Sequence, residues 1–208
     1  MSEKVSIVAK ALIRSGALKF GSFKLKSGVT SPYYIDLSWL LSSPKDFDCI
    51  VSIVVDEIKA LLSSKRIDKL ASIELKGALL LPSIACKLKM PCVIVRKESK
   101  AYGLTGRITG GEVKKGERLL FFDDLVTSGL SKLEGIRPIE EEGGKVEIIL
   151  VVVDREEGGK ESLKDHGYQV RSMATISSLV TSLLSLGALP REKAEEILSY
   201  LEKRRPQN

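Results

Sequence analysis

Four short runs of the chain carry side chains whose types and order suit phosphate and sugar chemistry. In Leu119-Leu-Phe-Phe-Asp-Asp-Leu-Val-Thr-Ser-Gly-Leu-Ser131, four apolar residues lead to two adjacent carboxylates, Asp123 and Asp124, and then to a hydroxyl-rich turn. A turn that opens a helix presents backbone N–H groups without partners. The hydroxyls of Thr127, Ser128 and Ser131 add donors, and together they make a cradle for a phosphate dianion. Carboxylates beside such a cradle suit the vicinal hydroxyls of a ribose, from which they accept in pairs. An Asp-Asp pair before a helix is on its own more often a cap with solvated acids. The full order, apolar run, acids, apolar pair, then Thr-Ser-Gly, sets this run apart. Neither Gly-x-x-x-x-Gly-Lys-Ser/Thr nor Gly-x-Gly-x-x-Gly occurs, which excludes the Walker and dinucleotide loops.

The other runs are cationic. Val95-Arg-Lys-Glu-Ser-Lys-Ala-Tyr-Gly103 places Arg96, Lys97 and Lys100 where a segment could fold over a polyanion, although a basic stretch without context is usually solvated surface. Ser72-Ile-Glu-Leu-Lys-Gly77 puts Lys76 and Gly77 directly after an apolar strand. Val153-Asp-Arg-Glu-Glu-Gly158 sets Arg155 after a β-branched run, and a guanidinium fork suits a planar carboxylate better than a lysine does. Its bland alternative is a capping or surface-paired arginine. His166 has no ligand partner at metal spacing and reads as a surface residue, while Cys86 and Cys92 flank an apolar junction and read as core.

These runs need elements to position them. Val5, Val8, Ala9, Leu12 and Ile13 recur at helical spacing, with Gly16 as a stop. Residues 17–39 are punctuated by Gly21, Gly28 and Pro32 and read as short extended pieces with a turn. A helix follows over 46–62, behind Ser43-Pro44 as cap and first turn. From there strands at 70–73, 92–95, 119–122, 146–153 and 168–173 alternate with helices at 78–88, 131–142 and 160–166, and a charged amphipathic helix covers 191–203. Continuous apolar strands separated by helices predict an α/β fold with a central parallel sheet covered on both faces. In such sheets ligands bind beyond the carboxyl ends of the strands, where the four runs fall. Residues 97–115, rich in Gly, Lys and Thr and without apolar periodicity, read as a long functional loop.

The composition agrees. The chain has 208 residues, 43% hydrophobic and 29% charged, within the range of one globular domain and outside that of disordered or collagen-like chains. No apolar run reaches the ~20 residues a membrane span needs, and the polar opening Met1-Ser-Glu-Lys does not read as a secretory leader. Three Cys without a Cys-x-x-Cys pair point to a reducing compartment and a cytoplasmic location. The net charge of +6 fits phosphate on a nucleic acid, a membrane surface or a small substrate, and does not choose among them.

The run from Leu119 to Ser131 resembles the signature of type I phosphoribosyltransferases, which bind phosphoribosyl pyrophosphate, with Leu130 the unusual choice. The 95–103 run resembles the Arg-Lys-Glu-x-Lys-x-(His/Tyr)-Gly loop of the orotate phosphoribosyltransferases. Phe23-Lys-Leu-Lys-Ser-Gly28 with Ser31-Pro-Tyr-Tyr-Ile-Asp36 looks like the substrate hood of that family. The resemblance implies one phosphoribosyltransferase domain over 1–208, with a hood over 1–40, a core over 65–175 and a flexible active-site loop over 97–115. It implies contacts to phosphoribosyl pyrophosphate from Lys26, Leu75, Lys76, Gly77, Arg96, Lys97, Lys100, Tyr102, Asp123, Asp124 and the stretch Leu125, Val126, Thr127, Ser128, Gly129, Leu130 and Ser131. Orotate would meet Tyr34, Ile35, Thr127 and Arg155. Lys100, Lys26, Asp123 and Asp124 would be the catalytic set. Glu74-Leu75 departs from the small residues common at the pyrophosphate loop.

The activity implied is transfer of ribosyl-5-phosphate to N1 of orotate, giving orotidine 5′-monophosphate and pyrophosphate in pyrimidine biosynthesis. The implied cofactor is Mg2+, held mainly by the substrate and reached by Asp123 and Asp124 through water, with no protein-built metal site. The implied assembly is a homodimer in which loop 97–110 completes the neighbour's active site, with no nucleic-acid or membrane partner. Two rivals are a regulator on the same fold that uses its basic surface for nucleic acid, and a purine or uracil transferase.

Overall fold

A computed structural model describes residues 3–24, 28–100 and 106–204. Helix α1 (Glu3–Arg14) leads into a hairpin of β1 (Leu18–Lys24) and β2 (Thr30–Ile35), a 3-10 turn (Leu37–Ser42) and α2 (Pro44–Leu62). The core follows as β3 (Lys69–Ile73), α3 (Lys76–Leu88), β4 (Cys92–Lys100), β5 (Gly106–Thr109), β6 (Arg118–Val126), α4 (Leu130–Glu141), β7 (Lys145–Asp154), α5 (Gly159–Asp165) and β8 (Gln169–Thr175). Helices α6 (Ile176–Ser185) and α7 (Arg191–Glu202) close the described chain. The main sheet runs β5-β4-β3-β6-β7-β8, parallel throughout except for the antiparallel β4–β5 edge.

Alternation along the strands explains the two layers. In β6, Leu120 and Phe122 face a core shared with α1, α2, α3, α6 and the hairpin, while Leu119 and Phe121 face one shared with α4 and α5. A strand buried on both faces has no polar side to show, which is why these strands are unbroken apolar runs. The hairpin joins the first core through Leu18, Tyr33 and Ile35.

Several sequence expectations are corrected. Residues 97–115 are not irregular throughout: β4 continues to Lys100 and pairs with β5, forming an arm whose backbone groups bond each other. Strand pairing of backbone N–H and C=O groups needs no apolar alternation when both faces are wet, so periodicity could not reveal it. Cys86 is exposed, because it falls on the outer side of α3. Ser43 stands at the N-cap of α2 but makes no cap bond; its hydroxyl donates to Asp46 Oδ2 at 2.8 Å. Helix α6 adds to the elements expected from the sequence, and Thr175 and Ser178 form a reciprocal capping box at its start.

Candidate active site

Strand β6 ends between its neighbours β3 and β7, so whatever leaves its carboxyl end stands at the centre of the sheet's upper edge. Asp123 and Asp124 are both 5% exposed there. Asp123 Oδ2 pairs with Lys132 Nζ at 2.6 Å, and its Oδ1 accepts from the Asp124 N–H at 2.9 Å. Asp124 Oδ1 accepts from the Leu125 N–H at 2.8 Å, while Oδ2 is buried with no hydrogen-bond partner among the described residues. Burial and the adjacent Asp123 carboxylate push the Asp124 carboxyl up to about 7, against the pull of Lys132, the Leu125 N–H and Lys76. A buried acceptor left bare is costly unless a ligand donates to it.

The turn after the acids opens α4. Gly129 is its N-cap at φ 87, a backbone state that suits glycine, and it makes no side-chain cap bond. The first N–H groups of a helix have no carbonyl of their own to bond, so this turn is open to an anion. The neighbouring β3–α3 turn crosses close by. A Cβ on Gly77 would run into Asp123 Oδ1 and come 2.5 Å from Ser72 Oγ and 2.8 Å from Asp123 Cα, so only glycine lets the two loops approach. The Glu74–Leu75 peptide in this turn is cis.

The β7–α5 loop completes the edge. The Arg155 N–H donates to Val126 O at 3.0 Å, which seats Arg155 beside the acid loop. Its guanidinium lies 5.4 Å from the Tyr33 ring centre, donates from Nε to Tyr33 Oη at 3.4 Å and pairs through Nη2 with Glu157 at 2.8 Å. Tyr33 in turn packs edge-on against Tyr200 of α7, with ring centres 6.2 Å apart. Tyr33 and Glu157 thus engage Nε and Nη2, and among the described residues no hydrogen bond or ion pair engages Nη1.

A family model described as "Phosphoribosyl transferase domain" matches residues 50–177. The orotate phosphoribosyltransferase of Methanopyrus kandleri is 38% identical over 172 residues, 83% of this chain and 90% of that protein. The chain belongs to the orotate phosphoribosyltransferase family. Among solved structures, the orotate phosphoribosyltransferase from Aeropyrum pernix matches with TM-score 0.73 and 29% identity, covering 88% of this chain and 99% of that one. Leishmania donovani UMP synthase matches with TM-score 0.83 and 30% identity over 97% of this chain, which spans only 43% of that longer protein.

Within this phosphoribosyltransferase fold, Asp123 and Asp124 at the end of β6, Lys76 and Gly77 at the start of α3, Thr127, Ser128, Gly129 and Ser131 at the start of α4, and Arg155 after β7 meet along one sheet edge. The side chains of Leu125 and Val126 turn into the two cores, so only their backbone remains for a ligand. Ile35 is likewise in the core, whereas Tyr34, its neighbour on the opposite face of β2, is exposed and stands 5.6 Å from the Phe23 ring. Leu75 and Leu130 are exposed at 65% and 63%, apolar side chains at the lip of both phosphate-type loops. Lys76 pairs at 3.1 Å with Asp36, which caps the 3-10 turn after the hairpin. Glu74 is turned to the arm, where its Oε1 accepts from the Lys97 N–H at 2.6 Å. Arg96 holds the arm through its carbonyl, which accepts from Arg107 Nε at 2.9 Å. Lys26, Tyr102 and the side chain of Lys100 lie outside the described residues.

Sequence reasoning missed Lys132, Tyr33, Glu157 and Asp36. One signal was available for Lys132: it shares the helical stripe of Gly135, Ile136 and Ile139, where a cation is out of place. Tyr33 is the immediate neighbour of Tyr34, and only side-chain direction along β2 separates the two.

Proposed function

We infer that this protein transfers the ribosyl-5-phosphate group of phosphoribosyl pyrophosphate to N1 of orotate, giving orotidine 5′-monophosphate and pyrophosphate for pyrimidine biosynthesis. The observation that carries this reading is the adjacency of two loops. One follows the end of β6, which carries Asp123 and Asp124, and opens α4; Arg155 lies on the next, and the Arg155 N–H donates to Val126 O at 3.0 Å. A sugar-phosphate site and a carboxylate-reading arginine are thereby side by side.

In the reaction N1 of orotate approaches C1′ as the C1′–O bond to pyrophosphate breaks, and positive charge grows on the ribose. The chain's part is placement and charge. The α4 turn from Thr127 to Ser131 binds the 5′-phosphate through backbone N–H groups and hydroxyls. Asp124 Oδ2 accepts from a ribose hydroxyl, which gives that buried oxygen its missing partner. Arg155 orients orotate by its carboxylate, with Tyr34 and Thr127 toward the ring. Lys76, Arg96, Lys97, and with them Lys26 and Lys100, balance the departing pyrophosphate.

Among the described residues no group of three or more His, Cys, Asp or Glu side chains could hold a metal ion. The two-carboxylate set at the edge fits a magnesium ion that takes most of its oxygens from substrate and water. Such an ion supplies charge neutralisation at the pyrophosphate. The homodimer, with loop 97–110 reaching the neighbouring subunit, and the cytoplasmic location belong to the same reading. Three free cysteines accord with a reducing compartment, and no helix among the described residues is long and apolar enough to cross a membrane.

The test is loss of the orotate ultraviolet band in the presence of phosphoribosyl pyrophosphate and magnesium, with uracil, hypoxanthine and adenine as controls. Selective orotate consumption supports the reading; consumption of another base, or of none, overturns it. Lys100→Ala is expected to lower turnover far more than it weakens orotate binding.

A further inference from the structure

Among the described residues Lys132 is the one buried cation at the upper edge for which the proposed reaction has no task. It stands in the first turn of α4 with its side chain 6% exposed, against 7% for Asp123. Its ammonium lies 2.6 Å from Asp123 Oδ2 and 3.2 Å from Ser131 Oγ. Nothing in helix energetics asks for it: a cation in the first turn opposes the helix dipole, and lysine is almost never fully buried unless paired.

Its two contacts reach different halves of the site. Asp123 lies within the last residues of the central strand β6, paired with Val151 of β7, and Ser131 stands in the first turn of α4, beside the anion-binding turn. Between them run Thr127, Ser128 and the left-handed Gly129, without a side-chain cap. Among the described residues no other side-chain hydrogen bond or ion pair joins the turn to the acids. Charge points the same way, because two carboxylates beside a phosphate ester repel it, and Lys132 offsets one of them at contact distance.

We propose that Lys132 is a positioning residue for the sugar-phosphate donor: its ammonium ties the acid pair to the phosphate turn and so fixes the separation at which ribose hydroxyls and 5′-phosphate are held together. The inference rests on phosphoribosyl pyrophosphate being the donor. Lys132 meets no substrate atom; it acts through Asp123 and Ser131.

The test uses the full chain and equilibrium binding of phosphoribosyl pyrophosphate by calorimetry with no acceptor base, beside steady-state kinetics. Lys132→Met keeps the length and removes the charge. Its donor Kd and donor KM are expected to rise about tenfold, in the range of coupled contacts, with orotate KM within about twofold of wild type. Donor binding equal to wild type in a folded variant would overturn the proposal, as would an equal rise in both KM values. Because Lys132→Met leaves Asp123 buried and alone, the double variant Lys132→Met/Asp123→Asn removes both charges and is compared with Asp123→Asn. If Lys132 acts through Asp123, the two bind the donor alike within about twofold. A further tenfold loss in the double variant means that Lys132 touches the donor itself, and the proposal fails. A wild-type protein that binds no phosphoribosyl pyrophosphate refutes the proposed function instead, which separates the two failures.

Discussion

The sheet carries a buried lysine ion pair at each end, and the two are built differently. At the lower end Lys69 donates to Glu117 Oε2 at 2.8 Å and to the Glu112 carbonyl at 2.6 Å, and Glu117 also accepts from the Lys114 N–H at 3.0 Å. Against the opposing effect of burial, these bonds hold the Glu117 carboxyl below its usual range. At the upper end Lys132 pairs with Asp123 at 2.6 Å, yet the adjoining Asp124 keeps one oxygen bare and its carboxyl is pushed up to about 7. The lower pair closes its hydrogen bonding within the fold. The upper cluster leaves an acceptor open, which is a cost in the free protein and a contact in the bound one.

The largest effect expected from this contrast is at Asp124. Asp124→Asn should lower turnover about a hundredfold to a thousandfold, the size seen when one preorganised polar group is lost from a reacting centre. The same change should alter stability with the opposite sign. Asp124 in the free protein binds its proton more tightly than the unfolded chain does, since its carboxyl is raised from 3.8 to about 7. The stability it contributes is therefore full below about 4 and is lost as pH rises through about 7. Melting temperatures of the ligand-free protein at pH 5 to 8 check this: wild type should lose stability relative to Asp124→Asn as pH rises. Parallel curves would show that Asp124 stays ionised throughout and that the two ends differ less than their geometry implies.

Breaking the lower pair should do the reverse. Lys69→Met leaves the part-buried Glu117 without its cation, at a cost of about 1–3 kcal/mol in unfolding free energy by denaturant titration. Neither KM should move, because Lys69 lies at the far end of β3 from the β3–α3 turn and the start of α4. A shifted donor KM in that variant would mean that the two ends are coupled through β3 and β6.

Arg155 offers a narrower test of the upper edge. Arg155→Ala should raise the orotate KM about tenfold to thirtyfold, the loss expected for a charge-assisted contact of about 2 kcal/mol, with the donor KM close to wild type. Tyr33→Phe, which removes only the 3.4 Å contact to Nε and keeps the ring beneath the guanidinium, should cost less than a factor of about three. Equal increases in both KM values for Arg155→Ala would place the arginine in the architecture of the loop and not on the acceptor.

How much of this was legible in the sequence depends on which force fixed each part. The central strands and the flanking helices were readable because burial writes a period into the residues it selects, as in Leu119 to Phe122 with alternate residues in opposite cores. The acid pair and its turn were readable because their order of residue types is unusual. The β4–β5 arm was not, since its pairing is made by backbone groups that every residue carries. Helix α6 could have been read from Ile176, Leu179, Val180 and Leu183, all buried at helical spacing. The partners of the site residues were the least accessible. Lys76 with Asp36 and Asp123 with Lys132 join different elements, and nothing local in the chain says which carboxylate a given cation meets; Arg155 had Asp154, Glu156 and Glu157 all within two residues, and only the loop's fold selects Glu157.

Glu74 gives the smallest effect and the most direct choice between two physical accounts. An acid in the pyrophosphate turn would repel a polyanion, and if repulsion ruled, removing its charge would tighten donor binding. The structure instead turns Glu74 to the arm, where its Oε1 accepts from the Lys97 N–H at 2.6 Å and ties the β3–α3 turn to the first residues of the cationic run. A hydrogen bond of this kind at an exposed site contributes about 1 kcal/mol, or about fivefold in a binding constant. Glu74→Ala should therefore raise the donor KM about fivefold. Glu74→Gln keeps an oxygen acceptor for the Lys97 N–H without the charge, and should stay within about twofold of wild type. A fall in donor KM for both variants would show that charge outweighs the latch, and would make the upper edge less preorganised than the enclosed pair at the lower end.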